Sequence, residues 1–357
     1  MVSFRQTFQA RRVWISGHTG FKGSWLSEWL LQLGAEVHGY ALAPETTPAL
    51  FDQLGLADRM EHEVSDIRDA GAVHRSLQSF QPEFVIHMAA QPLVRRSYSI
   101  PFETYETNVM GTVHVLQALR SLSRPCSAVI VTTDKCYLNH ESGRAYEETD
   151  PLGGHDPYSS SKAMAEIATA AYRKSYFQNH PVRVATARAG NVIGGGDWAE
   201  DRIVPDAMRS LDRGEAIPVR NPSAVRPWQH VLEPLGGYLL LASKLLTDCR
   251  FETAFNFGPD PDSNRTVSDL VQEILRHRTG SWVDRSDPSA LHEATLLNLS
   301  VQKARDLLGW QPLWNFEVTV AQTSLWYDNV HGDVLSPAEM TNRQITSYQQ
   351  AAEGIFG

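Results

Sequence analysis

The sequence has few cysteines, no long hydrophobic run and no cluster of basic residues. Its three cysteines, Cys126, Cys136 and Cys249, lack any paired spacing, so neither a disulfide framework nor a zinc site is expected. The longest apolar stretch, around residues 238–242, is far shorter than the roughly 20 residues of a membrane-spanning helix. Residues 1–8 contain no apolar segment of a signal peptide. We therefore expect a cytoplasmic protein with no membrane anchor.

Positive charge is also scarce. Lys and Arg total 32 against 41 Asp and Glu, which gives a formal net charge of −9. Nucleic acids and anionic membrane surfaces are therefore not expected as partners. The chain is 357 residues long and 42% hydrophobic, whereas single cores stop growing at roughly 250–300 residues. This length predicts two lobes, and we find no internal repeat.

Short apolar runs alternate with helical patterns through the first half of the chain. The pattern predicts strands at 12–16, 36–40, 84–88, 128–132 and 182–187, and helices at 23–33, 70–80, 104–122 and 157–176. Because the strands are almost entirely apolar, they indicate a parallel sheet that is covered on both faces. The sequence therefore predicts a doubly wound α/β fold.

The pattern changes after residue 187, where glycine and proline become frequent. Further helices are predicted at 235–246, 266–278 and 301–308, with one more strand at 254–258. The polar tail beyond about residue 331 has no predicted structure. We expect one lobe from residues 1–189, with 230–258 returning to it, and an interleaved second lobe from 190–229 and 259–357.

A glycine-rich segment lies between the first predicted strand and the first predicted helix. Glycine lets backbone N–H groups close around a pyrophosphate at the positive end of a helix. The alternative is a strand-to-helix turn that binds nothing. We predict a dinucleotide site at the consecutive residues Gly17, His18, Thr19, Gly20, Phe21, Lys22 and Gly23.

A second pattern pairs Tyr158 with Lys162. The two residues are four apart at the predicted start of a helix, so their side chains share one face. A nearby cation favours the phenolate and lowers the tyrosine pKa, which suits a base in alcohol oxidation. The same spacing also fits two exposed helix residues. A polar segment that ends a predicted strand, Thr132-Thr133-Asp134-Lys135, adds weight to the catalytic interpretation.

Together these motifs resemble the extended branch of the short-chain dehydrogenase/reductase superfamily. Thr133-Asp134 followed by a third functional residue resembles the nucleotide-sugar 4,6-dehydratases, and Lys135 in that third position is similar to their CDP-glucose branch. The likeness runs from about residue 13 to about residue 326. It implies a Rossmann-type doubly wound parallel sheet, a smaller interleaved C-terminal α/β substrate-binding lobe, NAD as cofactor and CDP-glucose as substrate, in deoxysugar biosynthesis.

The resemblance also implies further cofactor contacts. Asp66 and Ile67 would meet the adenine ring, although Asp66 also suits the N-cap of the next helix. Asn108 would support the part of the active site that contains Lys162. The remaining implied cofactor residues, besides Tyr158 and Lys162, are Ala89, Ala90 and Gln91 beside a ribose, and Thr132.

Four residues are implied at the sugar nucleotide. Arg202 and Arg226 lie in loop-rich segments, where a guanidinium suits a diphosphate. Asn191 matches an asparagine that related enzymes place against a phosphate or sugar hydroxyl, and His87 is an implied substrate contact. The three loop residues could instead be surface groups or caps. Residues 37–42 contain neither the acidic residue that favours NAD nor an arginine for NADP, so NAD follows from the resemblance alone.

The resemblance implies a closed cycle of oxidation, elimination and reduction on the sugar. Tyr158, beside Lys162, would remove the O4 proton while C4 gives hydride to the nicotinamide. A base would remove the C5 proton, Asp134 would protonate the leaving C6 hydroxyl, and hydride would return to C6. The implied catalytic residues are Thr133, Asp134, Lys135, Tyr158 and Lys162. Two alternatives remain: a nucleotide-sugar 4-epimerase and a non-catalytic dinucleotide-sensing regulator.

Lys135 stands where relatives commonly carry a glutamate as the C5 base. Asp134 would hold Lys135 protonated, whereas burial and Lys162 would lower its pKa. We expect Lys135 to remove the C5 proton or to stabilise the enolate. The alternative is that Lys135 only pairs with Asp134.

The quaternary structure follows from two helices. Residues 104–122 and 157–176 contain more apolar residues than one face of a sheet needs. Extended-branch relatives pair through these helices into a four-helix bundle. We therefore expect a homodimer or a tetramer made of dimers.

Overall fold

The computed structural model describes residues 4–141, 143–287 and 296–356, so part of the predicted second lobe lies outside the described residues. The seven strands of the central sheet are β1 (Arg12–Ser16), β2 (Glu36–Ala41), β3 (Glu61–Val64), β4 (Phe84–His87), β5 (Cys126–Val131), β6 (Val182–Ala189) and β7 (Ala254–Phe257). All neighbours pair in parallel, in the order β7-β6-β5-β4-β1-β2-β3. This arrangement confirms the predicted Rossmann-type α/β sheet.

Two apolar cores lie on the two faces of this sheet. Side chains alternate along β1, so Val13 and Ile15 join one core while Trp14 joins the other. The helices are α1 (Phe4–Phe8), α2 (Phe21–Gln32), α3 (Leu50–Gln53), α4 (Ala70–Phe80), α5 (Val94–Ser99), α6 (Pro101–Tyr105), α7 (Gly111–Leu119), α8 (Pro157–Tyr172), α9 (Ile203–Asp212), α10 (Leu232–Thr247), α11 (Val267–His277), α12 (Phe316–His331) and α13 (Pro337–Phe356). No helix among these described residues is long and apolar enough to cross a bilayer.

Short elements complete the fold. Two-residue and three-residue strands pair as Ala145–Tyr146 with Asn298–Leu299, Val192–Ile193 with Gln229–His230, Ile217–Val219 with Trp282–Asp284, and Val225–Pro227 with Asn264–Thr266. Turns of 3-10 helix occur at Leu56–Asp58, Asp134–Cys136, Cys249–Phe251 and Pro261–Ser263, and π-helical turns at Glu106–Met110, Arg173–Phe177 and Ala304–Leu308.

Three predicted helices differ from the structure. The helix predicted at 104–122 is divided by the π-helical turn Glu106–Met110. Within this turn, the Asn108 side chain forms hydrogen bonds with the backbone of Gln91 in the loop after β4. The helix predicted at 157–176 also ends in a π-helical turn, and the one predicted at 301–308 is a π-helical turn at Ala304–Leu308.

The polar tail, which has no predicted structure, forms α13. Its buried Tyr348 packs edge-on against Trp29 of α2 and against Trp314. The Tyr348 hydroxyl also donates to the buried Glu233 carboxylate at 2.9 Å. Few apolar positions are enough to anchor this helix because they are large aromatic residues.

Candidate active site

A cavity of about 540 Å³ opens at the carboxyl ends of the strands. Its wall includes residues that follow β1, β4, β5 and β6. The strand order reverses between β1 and β4, and such a reversal is where open parallel sheets form ligand sites.

The glycine segment forms the floor of this cavity. Gly17 has a φ of +78°, and a Cβ there would lie 2.8 Å from the backbone nitrogen of Ala89. A Cβ on Gly23 would lie 2.1 Å from the Gly17 carbonyl oxygen. The N-cap of α2, Gly20, offers no capping side chain. The first N–H groups of α2 are therefore available to a phosphate. Any larger residue at Gly17 or Gly23 would collide with these backbone atoms.

Tyr158 and Lys162 lie in the wall of the same cavity, 9% and 6% exposed. The interpretation of two exposed helix residues is therefore wrong. The Tyr158 hydroxyl bonds Thr133, yet burial raises the pKa of Tyr158 to about 12. Lys162 does not lower it as predicted, because burial of the phenol dominates and Lys162 Nζ donates to the Val131 carbonyl at 3.2 Å.

Asp134 and Lys135 face the cavity beside Tyr158. The Thr133 hydroxyl donates to Asp134 Oδ1 at 2.9 Å, and Lys135 Nζ lies 3.9 Å from the same oxygen. The Asp134 side chain is 2% exposed and that of Lys135 is 24% exposed. The two residues therefore form a loose ion pair, and the Lys135 ammonium remains open to the cavity.

The cavity wall gathers several cationic side chains. Burial, together with the charges of Arg202 and Lys162, lowers the pKa of Lys22 to about 7. Arg202 Nη1 donates to Asp197 Oδ2 at 2.9 Å. This positive wall suits the phosphates of a dinucleotide and of a sugar nucleotide.

Asn191 and Arg226 also line the cavity. The Asn191 Oδ1 atom is buried and has no hydrogen-bond partner among the described residues. An orphaned buried oxygen is costly, so a bound ligand that donates to it would stabilise this segment. Arg226 Nη1 donates to the Val225 carbonyl at 3.0 Å.

Comparison with known proteins places the chain in a family. Residues 14–323 match the family described as GDP-mannose 4,6 dehydratase. The chain belongs to the GDP-mannose 4,6-dehydratase family. The CDP-glucose 4,6-dehydratase of Salmonella typhimurium is 45% identical over 96% of this chain and 98% of that protein.

Solved structures agree with this family. The dTDP-glucose 4,6-dehydratase DesIV of Streptomyces venezuelae, solved as a double mutant with NAD bound, is 25% identical with a TM-score of 0.77, covering 90% of this chain and 98% of that one. The UDP-glucose 4-epimerase of Thermus thermophilus, in complex with NAD, has a TM-score of 0.75 at 24% identity, over 89% and 99% of the two chains. The epimerase match shows the shared fold alone.

Within this 4,6-dehydratase fold, four predicted site residues lie outside the cavity lining: His18, His87, Gln91 and Asn108. His87 is 2% exposed, and its ring nitrogens bond Ser16 Oγ at 2.6 Å and Thr112 Oγ1 at 3.1 Å. The prediction that His87 contacts substrate is therefore corrected: the side chain ties β4 to β1 and α7. The buried His18 ring bonds His62 at 2.7 Å and lies against Gly39 on β2, so its side chain supports the glycine segment from beneath.

Gln91 and Asn108 also stand behind the cavity. The Asn108 amide accepts from the Gln91 backbone nitrogen at 2.8 Å and donates to its carbonyl at 3.1 Å. It also donates to Ser161 beside Lys162 at 2.9 Å, and the Gln91 side chain donates to Thr104 at 3.0 Å. Both residues thus hold the loop after β4, and Asn108 connects it to α8.

Asp66 and Ile67 line the cavity, as do Thr19, Ala89, Ala90 and Thr132. The alternative of Asp66 as an N-cap is wrong, since Asp69 caps α4 by accepting from Ala72 at 2.9 Å. The Asp66 carboxylate binds Arg68, whose hydrogen bond lowers the pKa of Asp66.

Sequence reasoning missed several residues of the site. A Cβ on Gly190 would lie 3.0 Å from Asp134 Oδ2, so glycine keeps this carboxylate accessible. Asp197, the partner of Arg202, follows the glycine run at 194–196. Glu166, one helical turn beyond Lys162, accepts a bond from Thr132 and turns that side chain away from the cavity. Its four-residue spacing from Lys162 is the signal that could have found it.

Proposed function

We propose that this protein is a CDP-glucose 4,6-dehydratase that converts CDP-D-glucose to CDP-4-dehydro-6-deoxy-D-glucose with loss of water. The observation that carries the proposal is the meeting of Asp134 and Lys135 with the Tyr158 and Lys162 pair in one cavity. The 45% identity to the Salmonella enzyme along nearly the whole chain supports the cytidine nucleotide. Because the product would be a deoxysugar nucleotide, we propose a role in deoxysugar biosynthesis, and we propose the cytoplasm as the location.

NAD is the proposed cofactor, and the residues of the cavity fit it. The phosphates would meet the N-terminus of α2 at Gly20 and Phe21, while Asp66 and Ile67 would meet the adenine. When bound, NAD would supply a hydride acceptor for C4 and, once reduced, a hydride donor for C6.

Tyr158 is the proposed base for the O4 proton. Its hydroxyl is held by Thr133, which fixes the phenol oxygen at the end of β5. Its pKa of about 12 without ligands means that positive charge must favour the phenolate during catalysis. The Arg202 guanidinium in the cavity wall supplies part of that charge.

The elimination step falls to Asp134 and Lys135. Oxidation at C4 acidifies the C5 proton, so its removal needs only a modest base. Proton transfer from the Lys135 ammonium to the Asp134 carboxylate within the pair would leave a neutral amine that accepts the C5 proton and a carboxylic acid that protonates the departing C6 hydroxyl. Alternatively, Lys135 would remain an ammonium and stabilise the enolate. A 4-epimerase would need neither residue, and formation of a 4-keto-6-deoxy product therefore separates the two activities.

The substrate lobe is proposed to comprise residues 190–229 and 259–357. Two of its parts are joined by strand pairs, since Val225–Pro227 pairs with Asn264–Thr266 and Ile217–Val219 with Trp282–Asp284. Arg202 and Arg226 would bind the diphosphate from this lobe. Asn191, with its unsatisfied oxygen, would accept from a sugar hydroxyl.

We also propose a homodimer, or a tetramer of dimers, through α6, α7 and α8. Large apolar side chains are exposed along these helices: Phe102 at 74%, Met110 at 46%, Met164 at 46% and Ile167 at 57%. Adjacent exposed apolar residues mark protein interfaces. Sedimentation should show a dimer or larger at micromolar concentration, and Ile167→Lys should dissociate it, whereas Val334→Lys should not. A monomeric wild-type protein would exclude this assembly.

Activity on sugar nucleotides tests the proposed function. The purified protein with NAD should form a 4-keto sugar from CDP-glucose, detected by its absorbance in alkali, and should act far more slowly on the UDP and dTDP analogues. Product without loss of water would indicate an epimerase. No product from any of the three sugar nucleotides would favour a regulator that binds the dinucleotide.

A further inference from the structure

Glu166 lies deep beneath the active site and touches three side chains. It is 3% exposed and follows Lys162 by one helical turn, on the face of α8 that carries Tyr158. The Thr132 hydroxyl donates to Glu166 Oε1 at 2.5 Å. Thr186 and Arg188 of β6 donate to Oε2 at 2.8 and 2.9 Å. The carboxylate thus joins the catalytic helix to the ends of β5 and β6.

The Glu166 carboxylate is ionised. Burial alone would raise the pKa of Glu166, but the Arg188 guanidinium and the hydroxyls of Thr132 and Thr186 outweigh burial and lower it. Arg188 is held in turn by the Tyr137 hydroxyl, to which it donates at 2.8 Å. A buried charge that is paired and fully hydrogen-bonded persists over the working pH range.

Glu166 is also the buried anion one helical turn along α8 from Lys162. Burial lowers the pKa of Lys162 to about 8, and the Glu166 carboxylate opposes this effect. Besides Glu166, the titratable groups around this ammonium are Tyr158, Cys136, His87 and Lys22, with Asp134 and Lys135 in the same cavity wall. The Asp134 carboxylate is paired with Lys135 at 3.9 Å, whereas Glu166 is the carboxylate that opposes the lowering of the Lys162 pKa.

We propose that Glu166 is a positioning residue for the dehydratase: its carboxylate fixes Thr132 next to the catalytic segment and keeps Lys162 protonated. This inference rests on the proposed function. Thr133 follows Thr132 directly and binds the Tyr158 hydroxyl, so the bond from Thr132 sets the position of that phenol. Glu166 therefore acts through its neighbours and touches neither substrate nor cofactor.

The test measures two quantities: the pH at which kcat falls on the alkaline side, and the pH at which Lys162 loses its proton. In Glu166→Gln the amide keeps the shape of the site but removes the charge, so the alkaline limb of kcat should move down by roughly one pH unit. A residue that only holds the fold would lower kcat at every pH and move neither limb.

Two further variants keep the result interpretable. Glu166→Gln with Arg188→Gln removes both charges, which avoids an unpaired buried Arg188 if the single variant unfolds. The double variant should still lower the limb, because Glu166 and not Arg188 is the charge that acts on the pKa of Lys162. Thr186→Val removes a hydrogen bond to Glu166 without changing charge, and its limb should match that of the wild type.

A second measurement reports the protonation of Lys162 without turnover. The protein is treated with limiting acetic anhydride from pH 6 to 10, and peptide mass spectrometry gives the extent of Lys162 acetylation at each pH. The midpoint should fall in Glu166→Gln and in the double variant. An unchanged midpoint in both would overturn the role of Glu166, even if kcat is reduced. Lack of wild-type activity on CDP-glucose would instead refute the proposed function and leave the labelling result to stand on its own.

Discussion

The position of the glycine segment depends on the close packing of the His18 ring against Gly39. One added methyl group at Gly39 should displace that ring. Gly39 lies on β2 beneath the segment, and a Cβ there would be 2.3 Å from His18 Cγ and 2.4 Å from Cδ2. Ordinary contact begins at 3.4 Å, so the imidazole would have to move by about 1 Å. It has little room, because it bonds His62 at 2.7 Å and packs edge-on against Phe51.

We expect Gly39→Ala to destabilise the protein by about 1–3 kcal/mol, the usual cost of overpacking a core. The displaced ring should also shift the turn at Gly17, which weakens NAD binding. Urea unfolding measures the first effect and calorimetric titration with NAD the second. Gly258→Ala is the matched control, since its Cβ would meet neighbours at 3.5 Å or more.

A second substitution identifies the cause. His18→Ala removes the ring that the new methyl group would meet, so the double variant should be more stable than the sum of the single changes predicts. The account would be wrong if Gly39→Ala had wild-type stability and NAD affinity. It would also be wrong if removing His18 gave no recovery.

Three further changes probe the chemistry and the acid stability. Lys135→Met should leave NAD bound and C4 oxidation possible but stop exchange of the C5 proton with deuterium oxide, and normal exchange would clear Lys135 of that role. Tyr158→Phe should lower kcat by about 10²–10⁴ without altering unfolding by urea, and an unchanged kcat would exclude this base. Burial lowers the pKa values of His18, His87 and His230 to about 3. These rings are neutral when folded and protonate below about pH 6.5 when unfolded, so the stability they contribute is present above pH 6.5 and is lost towards pH 3. At pH 5 each ring should therefore lower the free energy of unfolding by about 2 kcal/mol relative to neutral pH. His230→Phe should flatten the pH dependence of this free energy, measured by urea unfolding. An unchanged pH dependence would show that the His230 ring is charged in the folded protein.

The central sheet was predictable because its strands are buried on both faces and therefore apolar. The glycine segment and the Tyr158 and Lys162 pair were predictable for a related reason, since each motif fixes its own local geometry. The third strand, Glu61–Val64, has no such signal: its side chains are polar or half exposed at the edge of the sheet. The π-helical turn at Asn108 depends on a distant partner, Gln91, which no local pattern shows.

The direction of buried side chains was the least predictable feature of the site. His18 and His87 belong to motifs that line the cavity, but both side chains turn inwards to bond residues on other strands. The pKa of Tyr158 follows from total burial, which sequence spacing does not report. Glu166 carries no motif beyond its spacing, and its importance appears only when Thr132, Thr186 and Arg188 converge on it.

The central claim is a closed cycle in which hydride leaves C4 and returns to C6 of the same sugar. The most direct measurement is turnover of CDP-glucose deuterated at C4, followed by mass spectrometry and NMR of the product. The account predicts deuterium at C6, no net NADH, and one solvent deuteron at C5 when unlabelled substrate reacts in deuterium oxide. Loss of the C4 label to solvent, or its accumulation in free reduced cofactor, would contradict it.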